Sequence, residues 1–148
     1  MASIDRKTRR ALLSAGVVLP MLFGCTGHPS AQAGAGLDVT IKDFKIEPSA
    51  PTVEEGPVTL RVWNEGPATH EFVVVRSDLP ADGLPIAADG LSVDEDQVVP
   101  VDELPEVEAD TPGRLTLTLA PGRYVLFCNL EGHYLGGMRA SIEVTERD

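Results

Sequence analysis

Aromatic side chains make up only 5% of this 148-residue chain: one Trp, two Tyr and four Phe. With 43% hydrophobic residues in all, there is material for one small core and little for a second, which excludes a large multidomain enzyme. Cysteine is equally scarce. Two cysteines allow at most one disulfide, so a disulfide-stapled miniprotein is excluded and each thiol needs its own explanation. Basic residues are few, 12 Lys and Arg against 23 Asp and Glu, for a formal net charge of -11. Such a surface repels phosphate backbones, so neither nucleic acid nor an anionic lipid surface is expected as the main partner.

The first 24 residues differ from the rest. Arg6, Lys7, Arg9 and Arg10 lead into an apolar stretch from Ala11 to Phe23, too short for a comfortable membrane span and shaped like an export signal. It ends in Leu22-Phe23-Gly24-Cys25, which resembles a lipobox, where the thiol is lipidated and the chain is cut before the cysteine. The pair Arg9-Arg10 also resembles a twin-arginine signal. The expected organisation is an export signal over residues 1–24, lipidated Cys25 with a flexible Gly, Ala and Ser-rich tether over 25–36, and a folded domain over 37–148. Cleavage there leaves eight basic against 22 acidic side chains. The expected location is the outer face of the cell membrane or the periplasm, held by the lipid on Cys25.

From Leu37 onward the pattern is that of strands. Leu37, Val39 and Ile41 alternate with polar neighbours, as do Val58, Leu60 and Val62, then Leu115, Leu117 and Leu119, then Met138, Ala140, Ile142 and Val144; each set is one face of a half-buried strand. Phe72 to Val75 is apolar on both faces and Tyr124 to Cys128 nearly so. Turn signals such as Asn64-Glu65-Gly66-Pro67 and Pro121-Gly122 separate the segments. The predicted fold is all-β, a two-sheet antiparallel Greek-key sandwich or barrel. Between Ser77 and Gly113 lie eleven acidic residues and five prolines with no Lys or Arg. This acidic insertion is expected to be a long solvated excursion with one short strand around Gln97 to Val101. It keeps the protein soluble or offers an acidic docking face to a basic redox partner.

The chemistry-bearing residues gather near the C-terminus in Cys128-Asn-Leu-Glu-Gly-His133-Tyr-Leu-Gly-Gly-Met138. Beyond the signal and Cys25, Cys128 is the sole thiol, Met138 the sole methionine, and His70 and His133 the sole histidines outside the tether, where His28 reads as incidental. One thiolate, two imidazoles and a thioether form the ligand set of a type 1 copper site, with His2Cys in a plane and a weak axial Met. Taken singly, a buried Cys, a core His and a gap-filling Met are ordinary; together, on one loop and one strand end, they point to a metal. Structural zinc suits Cys and His but not a Met and a single thiolate. A Cys-His hydrolytic dyad leaves the Met without a role.

At these residues the chain resembles the cupredoxins, the small blue copper proteins. The likeness runs from about Leu37 to Val144 through Asp43-Phe44-Lys-Ile46-Glu-Pro48, Val58-Thr-Leu-Arg-Val-Trp63-Asn64-Glu-Gly66, Thr69-His70-Glu71-Phe72 and the Tyr124 to Met138 stretch. The Cys-x4-His-x4-Met spacing is most similar to the rusticyanin, auracyanin and sulfocyanin group. The resemblance implies one copper per chain, with His70, Cys128 and His133 equatorial and Met138 axial, and with Asn64, Glu71 and Asn129 around them. Glu71 stands where many relatives carry an Asn that ties the ligand loops together. The implied role is one-electron transfer without substrate turnover; a copper carrier or delivery protein is the alternative. The implied partners are redox proteins such as cytochromes or terminal oxidases, met by a monomer. His133 is the expected electron gate, with Leu130, Tyr134 and Leu135 as an uncharged contact surface.

Overall fold

The structure is a computed structural model and describes residues 34–147. The expected export signal and lipidated Cys25 lie outside them. Among the described residues nine strands follow in chain order: β1 (Ala35–Lys42), β2 (Lys45–Pro48), β3 (Thr52–Glu54), β4 (Gly56–Asn64), β5 (His70–Arg76), β6 (Val99–Val107), β7 (Pro112–Leu119), β8 (Gly122–Phe127) and β9 (Arg139–Thr145). They form two sheets, in the orders β2-β1-β4-β7 and β3-β9-β8-β5-β6. The alternation read along β1, β4 and β7 is the alternation observed: Leu37, Val39, Ile41, Val58, Leu60, Val62, Leu115, Leu117 and Leu119 are buried between the sheets, while their neighbours in sequence face outward or are half-buried. β1 opens at Ala35, paired with Val58, two residues before the expected boundary.

The all-β sandwich is as predicted, but its sheets are mixed rather than wholly antiparallel. β1 pairs with β4 in parallel, Ile41 opposite Asn64, and β3 pairs with β9 in parallel. The reason is the short return strand β2, which brings the chain back beside β1 before β4 begins, so β4 starts from the same end as β1. β2 and β3 have four and three residues, too few for an alternation to stand out in the sequence.

The acidic insertion departs further from expectation. Its strand is nine residues long, not five, and forms the edge of the second sheet against β5. Pro100 and Pro105, which have no N–H to donate, and exposed Asp102, Glu103 and Glu106 blunt that edge against pairing with other chains. The segment before it is no free excursion either. Leu84 and Val93 are buried and form a second apolar cluster with Val73, Val75, Val125, Phe127 and Tyr134. That cluster covers the outer face of the second sheet, and it explains why β5 and β8 are apolar on both faces.

Candidate metal centre

The four predicted ligands converge at one end of the second sheet. His70 opens β5, Cys128 directly follows β8, and Met138 directly precedes β9. Pairing of β5 with β8, Val73 opposite Phe127, sets His70 and Cys128 at the same edge. Between Cys128 and Met138 the chain folds on itself through backbone bonds: His133 N–H to the Leu130 carbonyl (2.9 Å), Gly136 to Gly132 (2.8 Å), Met138 to His133 (3.0 Å) and Cys128 to Met138 (3.1 Å). Gly132 and Gly137 take φ of +79° and +110°, a region open to glycine at little cost. This winding returns His133 to the thiol that the loop left.

His70, Cys128 and Met138 are each 0% exposed, and His133 is half-buried. The donor atoms of His70, Cys128 and His133 all lie within 4.8 Å of one another. His70 Nδ1 is 3.3 Å from His133 Nδ1, which is 3.4 Å from Cys128 Sγ. Two nitrogens and a thiolate around a single ion at ordinary bond lengths stand about 3.5 to 3.8 Å apart in a trigonal plane. Two Nδ1 atoms facing each other beside a sulfur need a shared proton or a cation between them. The residues therefore fit a soft or borderline metal, and Met138 lies in the same buried cluster as Cys128.

Burial pushes the Cys128 thiol above its ordinary value, while the backbone N–H groups of Leu130 and Glu71 act in the other direction at the sulfur. Burial, then the neighbouring His70, holds the His133 imidazole below the usual histidine range. Both shifts favour the neutral forms of Cys128 and His133, and a cation that holds the thiolate reverses the first.

The surrounding residues behave differently from one another. Asn64 is fully buried; its Nδ2 donates to the carbonyls of Ala68 (2.7 Å) and Val107 (2.9 Å), and its Oδ1 accepts from Gly66 N–H (2.9 Å), which pins the segment leading to His70. Glu71 lies between the two ligand segments. Its N–H is turned toward the Cys128 sulfur, and the Asn129 N–H is turned toward its carboxylate. Asn129 in turn joins the ligand loop to the acidic insertion, with Oδ1 accepting from Val93 N–H (2.7 Å) and Nδ2 donating to Glu95 Oε1 (2.6 Å).

Glu71 carries a cost that is measurable. Burial pushes the Glu71 carboxyl above the usual glutamate range, helped by the charges of Glu95 and Glu103. A group raised in this way adds stability that is fully present below the unfolded value near 4.5 and lost as pH rises through the folded value. Glu71→Gln should therefore raise the stability of the metal-free protein at neutral pH by up to about 1 kcal/mol, with the gain fading toward about pH 4. Urea unfolding across that range checks it; a gain that persisted undiminished at low pH would contradict the assignment.

The expected contact surface needs one correction. Leu130 and Leu135 are exposed, but Tyr134 is 1% exposed and points into the second apolar cluster, edge-on to Phe127. Its hydroxyl donates to the Ala81 carbonyl (2.7 Å) and accepts from Leu84 N–H (3.0 Å). Sequence reasoning also missed Phe44, an exposed aromatic side chain beside His133. In the two-residue turn between β1 and β2 it has φ of +59°, unusual for a bulky residue, and its half-exposed ring lies 5.2 Å from that of His133. A side chain at Gly136 would run into that ring.

No protein-family model matches the chain, and no curated protein does. Among solved structures it is similar to the dithionite-reduced auracyanin of Roseiflexus castenholzii, with 23% identity and a TM-score of 0.57 over 76% of this chain and 99% of that one. Auracyanin A of Chloroflexus aurantiacus, described as a "blue" copper protein, gives 23% identity and a TM-score of 0.52 over 73% and 99%. Rusticyanin of Thiobacillus ferrooxidans gives 18% and 0.52 over 76% and 79%. These likenesses establish a cupredoxin-like fold.

Proposed function

We propose that this chain is a one-electron carrier with a single type 1 copper ion, held by the nitrogens of His70 and His133 and the Cys128 thiolate, with Met138 as the weak axial ligand. The carrying observation is the convergence of two imidazoles and one Sγ, two of the three side chains fully buried, at a sheet edge. The resemblance to auracyanin A, itself described as a copper protein, supports the choice of metal. Copper bound there would supply one reversible electron. The chain supplies rigidity, because His70, Cys128 and Met138 are fixed at strand ends, and it excludes water, because those three side chains are sealed. Sealing also weighs against the carrier reading, in which ligands must be reachable for exchange.

Electrons enter and leave through the half-buried ring of His133, beside the exposed side chains of Phe44, Leu130 and Leu135. Acidic Glu106 and Glu108 flank Val107, which pairs with His70, so the negative field lies at the same end. The partner is a redox protein such as a cytochrome or terminal oxidase with a basic rim. The protein works on the outer face of the membrane or in the periplasm, exported and tethered by lipidated Cys25.

Voltammetry of the copper-loaded chain tests the reading: a reversible one-electron wave is expected, and its absence with copper bound would contradict it. Two variants separate contact from steering. Leu135→Lys should slow transfer to the native partner several-fold at every salt concentration, because it disturbs close approach. Replacing Glu106 and Glu108 by Gln should lower the association rate by up to about tenfold at low salt and little at high salt. Stopped-flow kinetics over a range of ionic strength measures both, and an unchanged rate for Leu135→Lys would rule out this contact face.

A further inference from the structure

The same two-residue turn that sets Phe44 against His133 sets Asp43 against His70. Parallel pairing of β1 with β4, Ile41 opposite Asn64, and a bond from Glu65 N–H to the Ile41 carbonyl (2.9 Å) carry the turn over the segment that ends at His70. There Asp43 Oδ1 lies 3.0 Å from His70 Nε2. The imidazole is sealed, while the carboxylate side chain is 44% exposed. Gly66 keeps the space open: a Cβ on it would sit 2.9 Å from Asp43 Oδ1 and 3.3 Å from Asn64 Oδ1.

The chemistry of this contact is directional. An ionised carboxylate only accepts hydrogen bonds, so Nε2 must carry the hydrogen, and in a neutral ring the lone pair is then on Nδ1. Nδ1 is the atom that faces His133 and the centre. A full negative charge on the far side of the ring also makes Nδ1 a stronger donor and favours the more highly charged state of a bound ion.

We infer that Asp43 is a positioning residue of the centre, fixing the His70 tautomer and orientation and holding the reduction potential down. The second half of that role rests on the copper reading above; the first half does not. Two sets of measurements on the full chain therefore separate them. Nitrogen-15 NMR of the metal-free protein, at a pH where imidazoles are neutral, should show His70 as the Nε2–H form, and Asp43→Ala should shift it toward a mixture. Zinc, a redox-inert probe, should bind Asp43→Ala about 10- to 100-fold more weakly. Asp43→Asn keeps an oxygen acceptor without the charge. With copper bound, its preference for the oxidised over the reduced ion should fall about tenfold, an upward shift in potential of about 59 mV. A role confined to stability would move the unfolding midpoint and none of these readouts. An Nδ1–H tautomer in the parent protein, or unchanged zinc affinity in Asp43→Ala, overturns the positioning role. An unchanged potential in Asp43→Asn overturns the tuning role. If NMR and zinc behave as stated while copper gives no reversible wave, the copper reading fails and the positioning role stands.

Discussion

Cys128→Ser should abolish the intense thiolate-to-copper absorption completely and weaken copper binding, while the metal-free protein still folds to the same sandwich. The absorption requires a sulfur ligand, and Cys128 is the one cysteine among the described residues. The fold does not depend on that sulfur. Cys128 is one of many residues in the main apolar cluster, and the N–H groups of Leu130 and Glu71 that face its Sγ can be met by a serine hydroxyl of similar size. The expected destabilisation is about 1 to 2 kcal/mol, small beside the roughly 5 to 15 kcal/mol typical of a domain. Absorption of the copper-loaded variant and urea unfolding of the metal-free one measure the two effects. A serine variant that kept the band would remove Cys128 from the ligand set, and one that failed to fold would show the thiol to be structural.

Tyr134→Ala should be the most damaging substitution to stability in the ligand loop. The ring is buried against Phe127, and its hydroxyl serves Ala81 and Leu84 across the acidic insertion. Truncating a buried aromatic side chain costs about 3 to 5 kcal/mol, which approaches the whole stability of a small domain. Tyr134→Phe keeps the ring but leaves the buried Leu84 N–H without its acceptor, for about 1 to 3 kcal/mol. Leu135→Ala, next in sequence and 49% exposed, should change stability by less than about 0.5 kcal/mol. Chemical unfolding of the three metal-free variants orders them. If Leu135→Ala proved as costly as Tyr134→Ala, the two side chains would have to exchange places.

Tyr134 also shows where sequence reasoning reaches its limit. The main strands were legible because period-two alternation is a direct record of a face turned inward, and Leu37, Val58, Leu115 and Ile142 all lie where that record puts them. The ligand set was legible because the chain spends so few sulfurs and imidazoles that their spacing carries most of the information. Long-range pairing leaves no such record. Nothing local marks β4 as the parallel neighbour of β1, and the turn at Asp43 and Phe44 reads as an ordinary hairpin until that pairing sets it over the two histidines. A signal for the second apolar cluster was present all the same. Phe72 to Val75 is apolar on both faces, so its outer face needs a cover, and the long segment after it offers Leu84 and Val93. Eleven acidic side chains between Ser77 and Gly113 masked those two residues, because composition averaged over a segment hides the few positions that face inward.

The visible absorption spectrum of the full chain titrated with Cu(II) tests the central claim most directly. The account predicts an intense thiolate charge-transfer band that grows to an end point at one copper per chain and disappears on reduction. Copper bound with only a weak band, or an end point reached without colour, would contradict a type 1 centre at His70, Cys128, His133 and Met138.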